Sequence, residues 1–187
     1  SSVTGVQTCA LPISDAELGI GNALAALERF EESLLHYQAA VAGKPSLANA
    51  HNNLAAALSR LGRHEEAVAA CRRALALEPA RFDAQLNLGH ALEALQRHDE
   101  AVAAFEAAIA VKSTVEAHSA LASAYSGLKR FDAAAASYRH ALELAPDDAN
   151  ALGGLAHALQ RICDWRERDQ VLARILAQLR TSAAAIP

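Results

Sequence analysis

Methionine is absent from all 187 residues, tryptophan occurs once, and aromatic residues make up only 4% of the chain. So thin an aromatic supply, with few β-branched runs, argues against a β-sandwich or barrel and leaves an all-α class. Basic excess is missing too. Against 21 Asp and Glu stand 17 Lys and Arg, a net charge of −4 that provides no electrostatic footprint for nucleic acid or an anionic membrane. No apolar run approaches the roughly 20 residues that a membrane-spanning helix needs, so a soluble chain is expected. The three cysteines, Cys9, Cys71 and Cys163, lie far apart and form no C-x-x-C pair. That spacing excludes a disulfide framework and fits a reducing cytoplasm. What is plentiful is alanine, which supplies much of the 52% hydrophobic fraction and favours helix and close helix–helix approach.

Order appears in residues 51–79, HNNLAAALSRLGRHEEAVAACRRALALEP, which read as two amphipathic helices joined by a Gly-containing turn and closed by a proline. Shifted forward by 34 residues, Leu54, Leu58, Ala67, Cys71 and Ala74 fall on Leu88, Leu92, Ala101, Phe105 and Ala108. Shifted back they fall on Ile20, Leu24, Ser33, Tyr37 and Ala40. A period of this length marks stacked two-helix units. Each slot has a physical reason. Ile20, Leu54, Leu88, Leu121 and Leu155, in the first helix (A), are expected to fill the space between hairpins. The next residue is small (Gly21, Ala55, Gly89, Ala122, Ala156), because helix A must touch the second helix (B) there. Ala67, Ala101 and Ala134 are the small partners on helix B, and Tyr37, Cys71, Phe105 and Tyr138 are expected to pack toward the following repeat. Pro45, Pro79 and Pro146 end helix B, with Ser113 in that place in the third unit. Gly62 marks a turn position that favours positive φ. Glu28, Gln96 and Lys129 share it, each at a cost on the order of 1 kcal/mol.

This pattern, Leu-Gly or Leu-Ala with Leu or Tyr three residues on, a small helix B residue and a closing Pro, resembles the tetratricopeptide repeat over residues 14–161. The resemblance implies a right-handed α-solenoid of helical hairpins, with the A helices lining a concave face. The units are about 14–47, 48–81, 82–114 and 115–148, with a degenerate fifth from 149, giving a solenoid of 14–163 and a C-terminal segment of 164–187. In the first unit helix A is expected near 15–28, capped by Ser14 or Asp15, and helix B near 31–43. The fourth unit arrives after 33 residues rather than 34, through a shorter loop. Ahead of the array, residues 3–13 (VTGVQTCALPI) resemble a translated sequencing adapter. With no methionine, the chain therefore reads as a fragment with a non-native scar over 1–13. No basic or apolar signal-peptide region supports secretion.

The fifth unit breaks the rule. Arg168 stands where helix B requires a small residue, so no standard hairpin is expected to close. Trp165, Leu172, Ile175, Leu176 and Leu179 fall on one helical face, and 164–180 reads as a capping helix with Asp164 and Trp165 as its structural anchors. The junction Cys163-Asp164-Trp165 resembles the last degenerate repeat of bacterial O-linked N-acetylglucosamine transferase and SPINDLY-type proteins. That resemblance implies the substrate-recognition arm of a UDP-N-acetylglucosamine-dependent protein glycosyltransferase, with the catalytic domain outside this fragment. It matches none of the sugar-nucleotide site. The alternative is a stand-alone scaffold.

Candidate chemistry is sparse. Asn53 and Asn87, one repeat apart before the helix A leucine, could donate to and accept from an extended backbone in the concave groove. Asn49 and Asn52 lie nearby and read mainly as polar surface. Gly19, Ala120 and Gly154 fill the same slot elsewhere and offer no side-chain polar group. A carboxylate clamp needs Lys or Arg where this chain has Leu18, Asn22, Ala56, Leu86 and His90. The histidines pair off by slot (His64 with His98, His51 with His118, His90 with His157), roughly 10 Å apart at helix spacing, too far to share one ion. Cys71 in a core slot reads as inert packing. No nucleophile–base pair, phosphate loop or carboxylate pair stands out, so no catalytic, cofactor or metal residue is expected. The partner is expected to be a protein or peptide.

Overall fold

In the computed structural model residues 13–184 are described, their side chains as far as residue 177. Most of the expected adapter segment, and the side chain of Leu179, lie outside the described residues. Among these residues the chain is entirely helical: α1 (Ile13–Ala26), α2 (Phe30–Gly43), α3 (Ala48–Arg60), α4 (His64–Leu77), α5 (Phe82–Ala94), α6 (His98–Val111), α7 (Val115–Gly127), α8 (Phe131–Leu144), α9 (Ala149–Arg161) and α10 (Trp165–Ala184). Odd-numbered helices are the A helices and even-numbered ones the B helices. They form two compact units, divided between Pro79 and Ala80.

In the first unit α1 pairs with α2 and α3 with α4, and both α1 and α2 pack against α3. The second unit repeats this with three hairpins, α5–α6, α7–α8 and α9–α10. There the backbones of α5, α7 and α9 approach one another in succession while those of α6, α8 and α10 do not, so this unit bends with its A helices on the inner side.

Every A-to-B turn is built the same way. Glu28, Gly62, Gln96, Lys129 and Cys163 all have φ between 58° and 74°, as the shared turn slot predicts for the first four. The following residue then donates back to the last turn of helix A. Arg63 N reaches Leu58 O at 2.9 Å and Arg97 N reaches Leu92 O at 2.9 Å, the six-to-one hydrogen bond that closes a helix around a left-handed residue. Asp164 N does the same to Leu159 O at 3.0 Å. The expectation that no standard hairpin closes in the fifth unit is therefore wrong at the turn. Backbone hydrogen bonds decide it, and they do not depend on Arg168.

The first residue beyond each of the first three turns is Arg29, Arg63 or Arg97, a cation at the N-terminus of helix B, where the helix dipole is unfavourable. Each is neutralised by a two-pronged bond to the glutamate three residues on, Glu32, Glu66 and Glu100, at 2.6–2.7 Å. Asp164 takes this place in the fifth unit and caps α10 directly, its Oδ1 accepting from Glu167 N at 3.2 Å. Thr114 and Asp148 cap α7 and α9 in the same manner. Ser14 does not cap α1, which begins a residue earlier. Its side chain is buried against Gly43.

The small slot on helix A is set by the ring it faces. A Cβ at Gly21 would lie 2.6 Å from the Tyr37 ring, and one at Gly89 would overlap Phe105. Tyr37 and Phe105 thus pack on helix A of their own hairpin, and Tyr37 also borders the groove that α3 of the following repeat lines. Tyr138 does reach forward, onto Gly154. Its own hairpin carries Ala122 in the small slot, which leaves no such space. Leu121 and Leu155 are buried as the repeat predicts, but Ile20 is 46% exposed because no hairpin precedes α1 among the described residues.

The capping helix also differs from its expected form. Val171 is buried and Ile175 packs against the α7–α9 core, whereas Trp165 is 48% exposed and Leu172 and Leu176 are exposed. Trp165 is therefore no buried anchor; the Arg168 guanidinium lies over its ring at 4.5 Å. Arg139 fastens α10 to α8 instead, through paired bonds of 2.6 and 2.8 Å to Glu167.

Two outcomes follow from this packing. Gly89→Ala should destabilise the second unit by roughly 1–3 kcal/mol through overpacking, and adding Phe105→Leu should recover part of that loss; denaturant midpoints followed by circular dichroism check it. The hydrogen bond from Arg139 holds the Glu167 carboxyl below its usual range. Its stabilisation is thus complete above the ordinary carboxylate range and is lost as pH falls through the lowered value. Trp165 fluorescence should report this acid release of α10, and Glu167→Gln should show the released signal already at neutral pH. An unaltered acid transition in that variant would exclude the link.

Candidate binding site

On the A-helix side of the first unit, α1, α2 and α3 enclose a groove of about 240 Å³. Its polar centre is Asn22, whose Oδ1 accepts from Asn53 Nδ2 at 2.7 Å and from the Tyr37 hydroxyl at 3.1 Å. Burial pushes the Tyr37 phenol up, so it remains a donor. With those bonds made, Asn22 keeps its Nδ2 donor, and Asn53 Oδ1, which takes only a weak bond from Asn52 at 3.4 Å, keeps a lone pair, so one donor and one acceptor can match a peptide group. The wall beside them is apolar and cationic, with Arg60 5.1 Å from the Phe30 ring centre.

The four asparagines singled out by the sequence have different fates. Asn53 lies in this groove and Asn49 is exposed. Asn52 is buried, with 4% exposure, which corrects its reading as polar surface. It donates weakly to Asn53 Oδ1 at 3.4 Å. Asn87 is half-buried on α5, in the other compact unit from Asn53. Asn22 gives no repeat signal in the sequence, because its slot holds Ala56, His90 and Ser123 in later repeats. Only the Tyr37 ring, admitted by Gly21, reveals its role.

In the second unit a larger groove of about 510 Å³ runs along α5, α7 and α9. His90 and Glu93 come from α5, Glu116, Ser119 and Ser123 from α7, and Asp148 caps α9. Ser123 Oγ donates to Glu93 Oε1, and His90 Nε2 stands 4.0 Å from Glu116. The signal for this set was a stripe at i, i+3 and i+7 on α7, which in sequence looks the same as a solvated face.

The histidines mostly tie the fold. His51 Nε2 bonds the Pro45 carbonyl at 3.0 Å, and His118 Nε2, in the same slot, meets Ser113 Oγ at 2.9 Å where the proline is replaced. Burial, with His140 alongside, pushes the His118 imidazole down. His51 is itself buried rather than at the surface. His90 and His157 stand edge-on to Phe105 and Phe131, at 5.2 and 6.2 Å. Among the described residues no three His, Cys, Asp or Glu are placed to hold a metal ion, and no helix is long and apolar enough to cross a membrane.

Comparison with known proteins bears on the fold. MamA (residues 41 to the end) from Desulfovibrio magneticus RS-1 is 19% identical, with a TM-score of 0.85 over 90% of this chain and 96% of that one. YrrB, described as a TPR protein with an unusual peptide-binding site, is 18% identical, with a TM-score of 0.76 over 86% of this chain and 84% of its own. PilF of Pseudomonas aeruginosa is 19% identical, with a TM-score of 0.76 over 88% of this chain and 76% of its own. No curated protein matches the sequence. Tetratricopeptide repeat models match residues 48–80, 82–114 and 115–148, and a further TPR repeat model matches 21–62. With these matches reaching from residue 21 to residue 148, the chain belongs to the tetratricopeptide repeat family.

Proposed function

We propose that the chain is a protein-interaction module that takes an extended segment of a partner along its A helices. The observation that carries this reading is the paired amide site in the first unit. There Asn22 and Asn53 are oriented by Tyr37 and leave one donor and one acceptor for a backbone. An extended peptide offers that complement at every residue, so the grip depends little on the partner's sequence.

A finer reading makes the module the substrate-recognition arm of an O-linked N-acetylglucosamine transferase or SPINDLY-type enzyme. The Cys163-Asp164-Trp165 junction and the 20-residue α10 support it, since they end the repeats in a helix of different character. The rival is a cytoplasmic scaffold that acts through binding alone. It draws equal support from MamA, of which this chain covers 96%, so that the hairpin fold makes up nearly all of that solved chain. Coding sequence beyond Pro187 separates the two. Several hundred residues of alternating strands and helices favour the transferase, and an early stop the scaffold. The chain itself, given UDP-N-acetylglucosamine and an acceptor protein, should transfer nothing.

Peptides selected from a random display library against the purified chain should bind with the affinity lowered at least tenfold by Asn22→Ala with Asn53→Ala, at unchanged helicity. Equal affinity would remove the amide grip, and failure to select any peptide would remove the docking function.

A further inference from the structure

The groove along α5, α7 and α9 has a chemistry that the docking reading does not specify. Val115, Ala120 and Ser119 line it, and Glu93, Glu116 and Asp148 bring three carboxylates to it with no Lys or Arg in the lining. Some other carboxylates of the same unit are neutralised by guanidinium groups, Glu100 by Arg97, Glu167 by Arg139 and Asp169 by Arg168, each at 2.6 Å. None of the three groove carboxylates has such a partner among the described residues. Glu93 accepts from Ser123 through Oε1 alone, and Asp148 accepts from Ala151 N through Oδ1 at 2.7 Å. Each leaves its second oxygen unused. Glu116 faces only the His90 ring at 4.0 Å. Ser119 Oγ, on the wall between them, is buried with no hydrogen-bond partner.

We infer that this groove receives a cationic segment of a partner protein, with Lys or Arg side chains directed at Glu93 and Glu116. Unneutralised carboxylates in a concave, partly apolar wall concentrate negative potential where a flat surface would disperse it. A volume of about 510 Å³ admits a long side chain together with its backbone. An anionic segment is repelled by the same charges, and a neutral one leaves them without counterpart. The inference rests on the docking function proposed above and adds the charge of the partner.

The test uses three fluorescein-labelled dodecapeptides, alternating Ser with Lys, Ser with Gln, or Ser with Glu, titrated with the purified chain by fluorescence anisotropy at near-physiological salt. The Ser-Lys peptide should bind at least tenfold more tightly than the Ser-Gln peptide. Glu93→Gln with Glu116→Gln should remove that advantage. Glu31→Gln with Glu65→Gln makes the same change in net charge at exposed sites outside the groove, and should leave it intact. If the exposed pair weakens binding as much as the groove pair, the attraction is general and the inference falls. Ser123→Trp, at an exposed groove position, separates the remaining outcomes once circular dichroism shows the fold unchanged. Ser-Gln or Ser-Glu binding that this variant abolishes would keep the docking function and overturn the cationic preference. Absence of binding by all three peptides would overturn both.

Discussion

The contact on which the hairpins depend is that between a helix A residue with little or no side chain and the large residue facing it from helix B. Where the ring is largest, at Tyr37 and Phe105, the facing residue is glycine, and no Cβ could be accommodated. Closely packed interiors leave no room for compromise at such a point. The exception follows the same constraint. With Ala122 in the small slot, Tyr138 goes forward to Gly154, so the third glycine–ring contact joins two hairpins instead of closing one. A sequence slot therefore does not by itself state which neighbour a ring will choose; the available space does.

That contact only forms if the chain reverses at the right place, and the turn achieves this with a left-handed residue and two backbone hydrogen bonds. Four of the five turn residues are not glycine, so four of the hairpins carry local backbone strain that packing must offset. The arginine that begins helix B is a second local conflict, relieved by the glutamate three residues later. Together these account for the R-x-x-E spacing that recurs through the first three units. They also explain why the fifth hairpin closes despite Arg168. The turn requires only backbone groups and a residue able to hold positive φ, here Cys163.

Function is carried by what the hairpins leave uncovered. In the first unit a buried tyrosine hydroxyl orients an asparagine amide beside an apolar, cationic wall. In the second, Glu93 and Asp148 each give one oxygen to the fold and, with Glu116, line an open channel. The same scaffold slot thus supports two chemistries, because residues on the exposed face of helix A are released from the size constraint that governs the opposite face.

Much of the architecture was legible in the sequence. The all-helical class, the 34-residue period, the small slots and the positive-φ turn residues at Glu28, Gln96 and Lys129 all follow from local rules that act within one hairpin. The candidate site was legible only in part: Asn53 was visible, but Asn22, Glu93 and Glu116 were not, since a polar residue on a helix face reads the same whether it lines a groove or meets bulk water. Trp165 shows the converse. Its size suggested a buried anchor, yet Val171 and Ile175 fill the seam and the indole stays half in solvent. Periodicity and turn chemistry are short-range, so the sequence alone determined the hairpins. Only the tertiary structure decided which rings, amides and carboxylates meet, because that depends on the space that residues distant in the chain leave to one another.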